Sequence, residues 1–107
     1  MSQFLIDPST RATFSAGTGT KVDLVRGEQL FLGLNCFEPE QRQRVHSHEG
    51  ADKFYLIVSG KARFSVGEDE FEAGTGALVW APAGVPHGVL TALERTVMMI
   101  GMSPPPG

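Results

Sequence analysis

A single cysteine, Cys36, stands among 107 residues, which excludes an intrachain disulfide and with it a disulfide-stapled secreted scaffold. Basic clusters are missing too. Acids outnumber bases by 12 to 9, the formal net charge is −3, and the lysines and arginines are scattered. No footprint for a phosphate backbone exists, so nucleic acid is not an expected partner. Long hydrophobic runs are absent: Phe4-Leu5-Ile6 is far too short for a signal peptide or a membrane span and has no basic residues before it. The expectation is a cytoplasmic protein without a membrane partner. Helical periodicity is lacking as well, because nowhere do apolar residues recur at i, i+3, i+4 and i+7 for three turns. Gly17-Thr18-Gly19-Thr20 is not a phosphate loop, since it lacks the Gly-Lys-Ser/Thr ending and no helical pattern follows.

What the chain has in quantity is punctuation. Its 13 glycines and 7 prolines divide it into short segments, and the length suits one domain with a modest core. Lys21 to Arg26 alternates apolar and polar residues, the period of a half-buried strand. Gly27-Glu28 turns into Gln29–Phe37, where Leu30, Leu32, Leu34 and Cys36 share one face and Phe31, Gly33, Asn35 and Phe37 the other. Both faces are partly apolar, as in a sandwich strand whose outer face also meets a neighbour or a second subunit. Further strands are expected at Phe54–Val58, Lys61–Val66, Phe71-Glu72, Ala77–Trp80, Val89-Leu90 and within Glu94–Met102. Eight to ten short strands joined by tight turns predict an all-β jelly-roll barrel occupying residues 1–107. Residues 1–10 read as an extended arm, since Pro8 and Ser9 break regular structure, and Ser103 to Gly107 as a loose proline-rich tail. Phe4 to Ile6 is an odd apolar cluster for a terminus and either covers its own barrel or pairs with a partner subunit.

The chemistry-bearing residues are few. His46 and His48 sit two apart, so on a strand both imidazoles point to one face. The third and last histidine, His87, follows the turn-rich Pro82-Ala83-Gly84-Val85-Pro86. Three neutral imidazoles that converge would hold a divalent transition metal (Fe, Mn, Ni or Zn) and leave coordination positions open for water or substrate.

Two segments carry a resemblance to a known family. His46, His48 and Gly60 match the first motif of the cupin superfamily, in which His-x-His is followed by a glutamate and a closing glycine. Lys53 stands at the glutamate position and Glu40 at that of the motif's first glycine. The second motif is matched by Gly76, Pro82, Gly84 and His87, with Thr91 in place of its final asparagine. The chain thus resembles a small single-domain cupin, and the resemblance implies a double-stranded β-helix holding one metal through His46, His48 and His87. Cupins with three histidines and no ligating acid include dioxygenases for thiols and diketones. The resemblance also implies dimerisation, with the N-terminal strand a candidate for pairing with a partner subunit.

Lys53 has three readings: a lysine whose amine reaches solvent or an acid, an anion anchor for a substrate carboxylate, and a desolvated nucleophile. Asp52 and Glu49 are alternative carboxylates in the same turn. If the family's orientation holds, Tyr55 and Ile57 line the barrel with Lys53. Trp80, Phe64, Met98 and Met99 are candidates for pocket walls or plain core, and Thr91 for a polar lining residue. Cys36 reads as a buried, inert thiol. The resulting expectation is a homodimeric metal-binding cupin acting on a small polar or carboxylated molecule, dioxygenase-like in the first place and otherwise an isomerase or decarboxylase. Its rival is a non-catalytic binding or sensor cupin with a vestigial site, favoured by Lys53.

Overall fold

The computed structural model describes residues 2–107, so Met1 of the N-terminal arm lies outside the described residues. A single turn of helix, α1 (Pro8–Arg11), precedes nine strands: β1 (Thr20–Arg26), β2 (Phe31–Phe37), β3 (Gln43–His46), β4 (Asp52–Ser59), β5 (Lys61–Val66), β6 (Asp69–Gly74), β7 (Leu78–Ala81), β8 (His87–Ala92) and β9 (Thr96–Ser103). They form two antiparallel sheets, β1-β2-β9-β4-β7 and β3-β8-β5-β6, facing each other as a double-stranded β-helix. The all-β jelly-roll expectation holds.

Strand alternation builds the interior. Lys53, Tyr55 and Ile57 on β4, Ala62 and Phe64 on β5, and Met98, Ile100 and Met102 on β9 are all buried. Register brings them together: Tyr55 pairs with Ile100 and Val79, and Ile57 with Met98. Tyr55 and Phe64, both at 0% exposure, meet edge to face with ring centroids 5.1 Å apart.

The outer face of the five-stranded sheet has its own apolar cluster of Leu34, Cys36 and Val97, flanked by Val58 and Met99. This accounts for the two-faced pattern of β2. The cover comes from the chain itself, through Ala12 and Phe14 just after α1, rather than from Phe4 and Leu5, which are exposed. Cys36 belongs to this outer cluster and not to the barrel cavity.

Two expectations are corrected. Pro8 and Ser9 do not break structure but start α1, because proline suits the first helical turn and the Asp7 side chain accepts from the Ser9 N–H at 3.1 Å. The tail is tied rather than loose: the Ser103 hydroxyl donates to the Gln29 carbonyl (2.7 Å) and Arg26 donates to that of Pro106 (2.8 Å). Gly60 makes the turn that carries the chain from β4 in one sheet to β5 in the other, at φ +95, where a side chain would run into Thr96. The Thr96 hydroxyl fills that space, accepting from the Lys61 N–H and donating to the Glu94 carbonyl.

Candidate metal centre

The three histidines arrive from two elements and one loop. His46 ends β3, directly opposite His87 at the start of β8. His48 lies two residues past the end of β3, so the expected single histidine strand is shorter than predicted. Its position is held instead by the second loop, residues 82–86 between β7 and β8, where the Gly84 N–H donates to the His48 carbonyl at 3.0 Å.

A bulge makes this arrangement work. Between the pairs Gln43–Val89 and His46–His87, β3 advances three residues while β8 advances two. The extra residue puts His46 on the inward face together with Gln43, where unbroken alternation would have placed Val45. Gly88 supplies the room, since a Cβ there would lie 2.9 Å from the Gln43 oxygen and from the nitrogen and Cα of Val45.

The ligand nitrogens of the three histidines lie within 4.8 Å of one another. His46 Nδ1 is 2.8 Å from the Arg44 carbonyl and His87 Nδ1 is 2.9 Å from that of Val85. Those nitrogens therefore carry the protons, and both Nε2 lone pairs point inward. His46 Nε2 sits 3.0 Å from His48 Nε2. His87 Nε2 is buried with no hydrogen-bond partner among the described residues. An orphaned acceptor of this kind is costly unless a cation or donor meets it. Burial foremost, with the Lys53 charge adding to it, holds His48 below the ordinary imidazole pKa. Burial outweighs the Val85 carbonyl to do the same for His87. Both are neutral donors at pH 7. A metal about 2.0–2.1 Å from each nitrogen needs neighbouring ligands about 3 Å apart; His46 and His48 have that spacing, and the three nitrogens together could hold a metal ion.

Among the described residues no carboxylate joins the cluster. Asp52 accepts the Ala83 N–H at 3.0 Å and so anchors the second loop, while Glu49 lies over Gly84. Lys53 points inward and is 5% exposed, its amine 4.7 Å from the Tyr55 ring centroid. Burial and then Lys21 push its pKa down to about 8, so it remains a cation at neutral pH.

His46 and His48 open onto a pocket of about 230 Å³ whose wall includes Lys53, Lys21, Arg26, Asn35 and Gln43. Tyr55 is buried beneath it, its hydroxyl donating to Gln43 Oε1 at 2.7 Å, and burial raises its pKa so that it stays a donor.

Three residues named as candidates for the lining lie on the outside of the barrel. Trp80 pairs with Phe54 across the sheet, which turns it away from Tyr55, and it is 53% exposed. Met99 falls between the inward Met98 and Ile100 and packs on the outer cluster. Thr91 is displaced by an irregularity in β8: Val89 pairs with the inward Phe64 but Thr91 with the outward Arg63, so Leu90 is the added residue. Conversely, Lys21, Arg26 and Gln43 carry no signal of their own in the sequence. Gly88 does carry one, a glycine inside a strand pattern, which marks a bulge or a close backbone approach.

Comparison with known proteins agrees with this geometry. The Cupin domain family matches residues 33–101, which include all three histidines. The uncharacterized protein SCO3923 of Streptomyces coelicolor is 28% identical over 105 residues, covering 98% of both chains. The crystal structure of TT1209 from Thermus thermophilus superposes with a TM-score of 0.90 at 31% identity, covering 95% of this chain and 98% of that one. A conserved Klebsiella pneumoniae protein with a double-stranded β-helix domain superposes with a TM-score of 0.86 at 16% identity, covering 94% of this chain and 90% of that one, a likeness of fold alone. With the barrel, both histidine segments and the family match in agreement, this chain belongs to the cupin family.

Proposed function

We propose that the protein is a metal-dependent cupin enzyme that holds one divalent transition metal through His46, His48 and His87 and acts on a small carboxylated molecule. The observation that carries this reading is the orphaned, buried His87 Nε2 aimed at the other two imidazoles beside a cationic pocket. When bound, the metal supplies Lewis-acid polarisation and an open position for substrate or oxygen. The protein's own residues do the rest. The Arg44 and Val85 carbonyls fix the imidazole tautomers, Lys53 and Lys21 attract the substrate's carboxylate, and Tyr55 orients Gln43 on the pocket wall. A pocket of about 230 Å³ is smaller than the roughly 300–1,000 Å³ typical of drug-sized ligands, which favours a compact acid.

The reaction class we assign is dioxygenase-like, because an all-nitrogen donor set leaves room for both oxygen and a chelating acid. The test is oxygen consumption by protein loaded in turn with Fe, Mn, Ni or Zn, across a panel of small hydroxy, keto and thiol acids. Uptake that depends on both metal and acid is expected. Acid binding without turnover of any kind would favour the non-catalytic binding cupin, a reading that the buried cation Lys53 supports.

We also propose that the chain forms a homodimer. Edge strand β7 exposes Leu78 and Trp80 on its outer face, and the N-terminal arm exposes Phe4 and Leu5. These apolar surfaces within one chain suit each other in a second copy. Light scattering should give twice the mass of one chain for the wild type and a smaller species for Trp80→Asp. A wild-type monomer at assay concentration would overturn the pairing.

A further inference from the structure

We propose that metal and carboxylate bind this pocket as a coupled pair, with Lys53 as the residue that couples them. The inference rests on the metal-centre reading above and concerns how that centre is neutralised. The donor cluster is three imidazoles with no acid among them. Asp52 is engaged by Ala83 and Glu49 lies over Gly84, which leaves Asp23 as the one carboxylate on the pocket wall among the described residues. Against it stand three cations, Lys21, Arg26 and Lys53.

Lys53 differs from the other two. It is more than nine-tenths buried, lines the pocket, and has neither a carboxylate partner nor a hydrogen-bond acceptor among the described residues. Its amine rests against the Tyr55 ring, which offers only a weak cation–π contact. A divalent metal on the histidines adds a second positive charge in the same confined, poorly screened space. Asp23, the one carboxylate on the wall, makes no ion pair with Lys53 and does not bridge the two charges. A carboxylate ligand does so in one step: one oxygen takes an open metal position and the other accepts from the Lys53 amine. Each partner then raises the affinity of the other, and the coupling is reciprocal. The ligand class that follows is a small monocarboxylate or dicarboxylate rather than a neutral polyol.

The test is calorimetric titration of the metal-free protein with Ni²⁺, in sodium acetate and in sodium perchlorate of equal ionic strength. Acetate binds Ni²⁺ weakly in solution, so competition can only lower the apparent affinity, and tightening must arise in the protein. In the wild type, acetate should tighten Ni²⁺ binding by about tenfold or more. In Lys53→Met the enhancement should fall below about twofold. Lys53→Glu, which carries its own carboxylate, should bind Ni²⁺ tightly in perchlorate and gain nothing from acetate. Thermal melts of each variant confirm that it is folded. Equal Ni²⁺ affinity in acetate and perchlorate for the wild type, or full enhancement in Lys53→Met, would overturn the coupling and leave the metal centre standing. Absence of Ni²⁺ binding by folded wild type in both salts would overturn the metal centre itself.

Discussion

Replacing Gly88 by alanine tests whether the bulge in β3 aims His46. A Cβ at this position lies 2.9 Å from three backbone atoms of Gln43 and Val45, and ordinary contact begins at 3.4 Å. Each contact is therefore about half an ångström too short, and no flexible side chain can yield in place of the backbone. Overpacking of this kind costs about 1–3 kcal/mol. In a domain of this size each kcal/mol lowers the melting temperature by about 4–8 °C, so a fall of roughly 5–20 °C is expected. The displaced residues lead directly to His46, whose nitrogen must stay within about 0.5 Å of its working position. Metal affinity should fall by about tenfold or more. Gly17→Ala is the control, because nothing lies within 4 Å of its Cβ and both properties should be unchanged. Differential scanning calorimetry and metal titration read the two effects. A Gly88→Ala protein that melts with the wild type, or that melts early yet binds metal normally, would refute this account of the bulge.

Three further outcomes are expected. In the metal-free protein His48 and His87 are held below the ordinary imidazole value of 6.5, chiefly by burial, so between 6.5 and their lowered values the unfolded chain takes up protons that the folded chain refuses. Stability should then fall as pH drops through 6.5, and thermal melts across that range that rise instead would contradict the burial of neutral imidazoles. Lys53→Met removes a buried cation whose pKa burial has pushed down to about 8, and should stabilise the metal-free protein at pH 7 by roughly 1–3 kcal/mol, read by chemical denaturation. A loss of stability would mean that Lys53 has a favourable partner. Tyr55→Phe deletes the 2.7 Å hydrogen bond to Gln43 and should cost about 0.5–1.5 kcal/mol, with urea denaturation as the measure and an unchanged midpoint as the contrary result.

Much of this architecture is legible in the sequence because strands bury alternate residues and glycine and proline mark the turns. The two faces of β2 and the shared face of Lys53, Tyr55 and Ile57 follow from alternation, while the inward direction of that face follows from the family resemblance. The convergence of the three histidines follows from the paired segments that also carry the family resemblance. Legibility fails where alternation is interrupted. The irregularity that adds Leu90 sends Thr91 outward, and the bulge in β3 changes which residues accompany His46. Trp80 and Met99 escape the pattern for another reason. Bulky apolar side chains suggest a core, but on a two-sided sheet they serve equally well outside it. The cationic wall is invisible to local pattern, since Lys21 and Arg26 on β1 reach the histidines only through the closure of the barrel.

The most direct test is elemental analysis of tag-free protein purified without chelators, beside His48→Ala prepared in the same way. His48 is the variant of choice because its side chain is less buried than that of His87, so its loss disturbs the core least. The account requires close to one equivalent of a divalent transition metal per wild-type chain and little or none in the variant, with both proteins folded. Folded wild type that carries no metal and takes up none when Fe, Mn, Ni or Zn is supplied would contradict it.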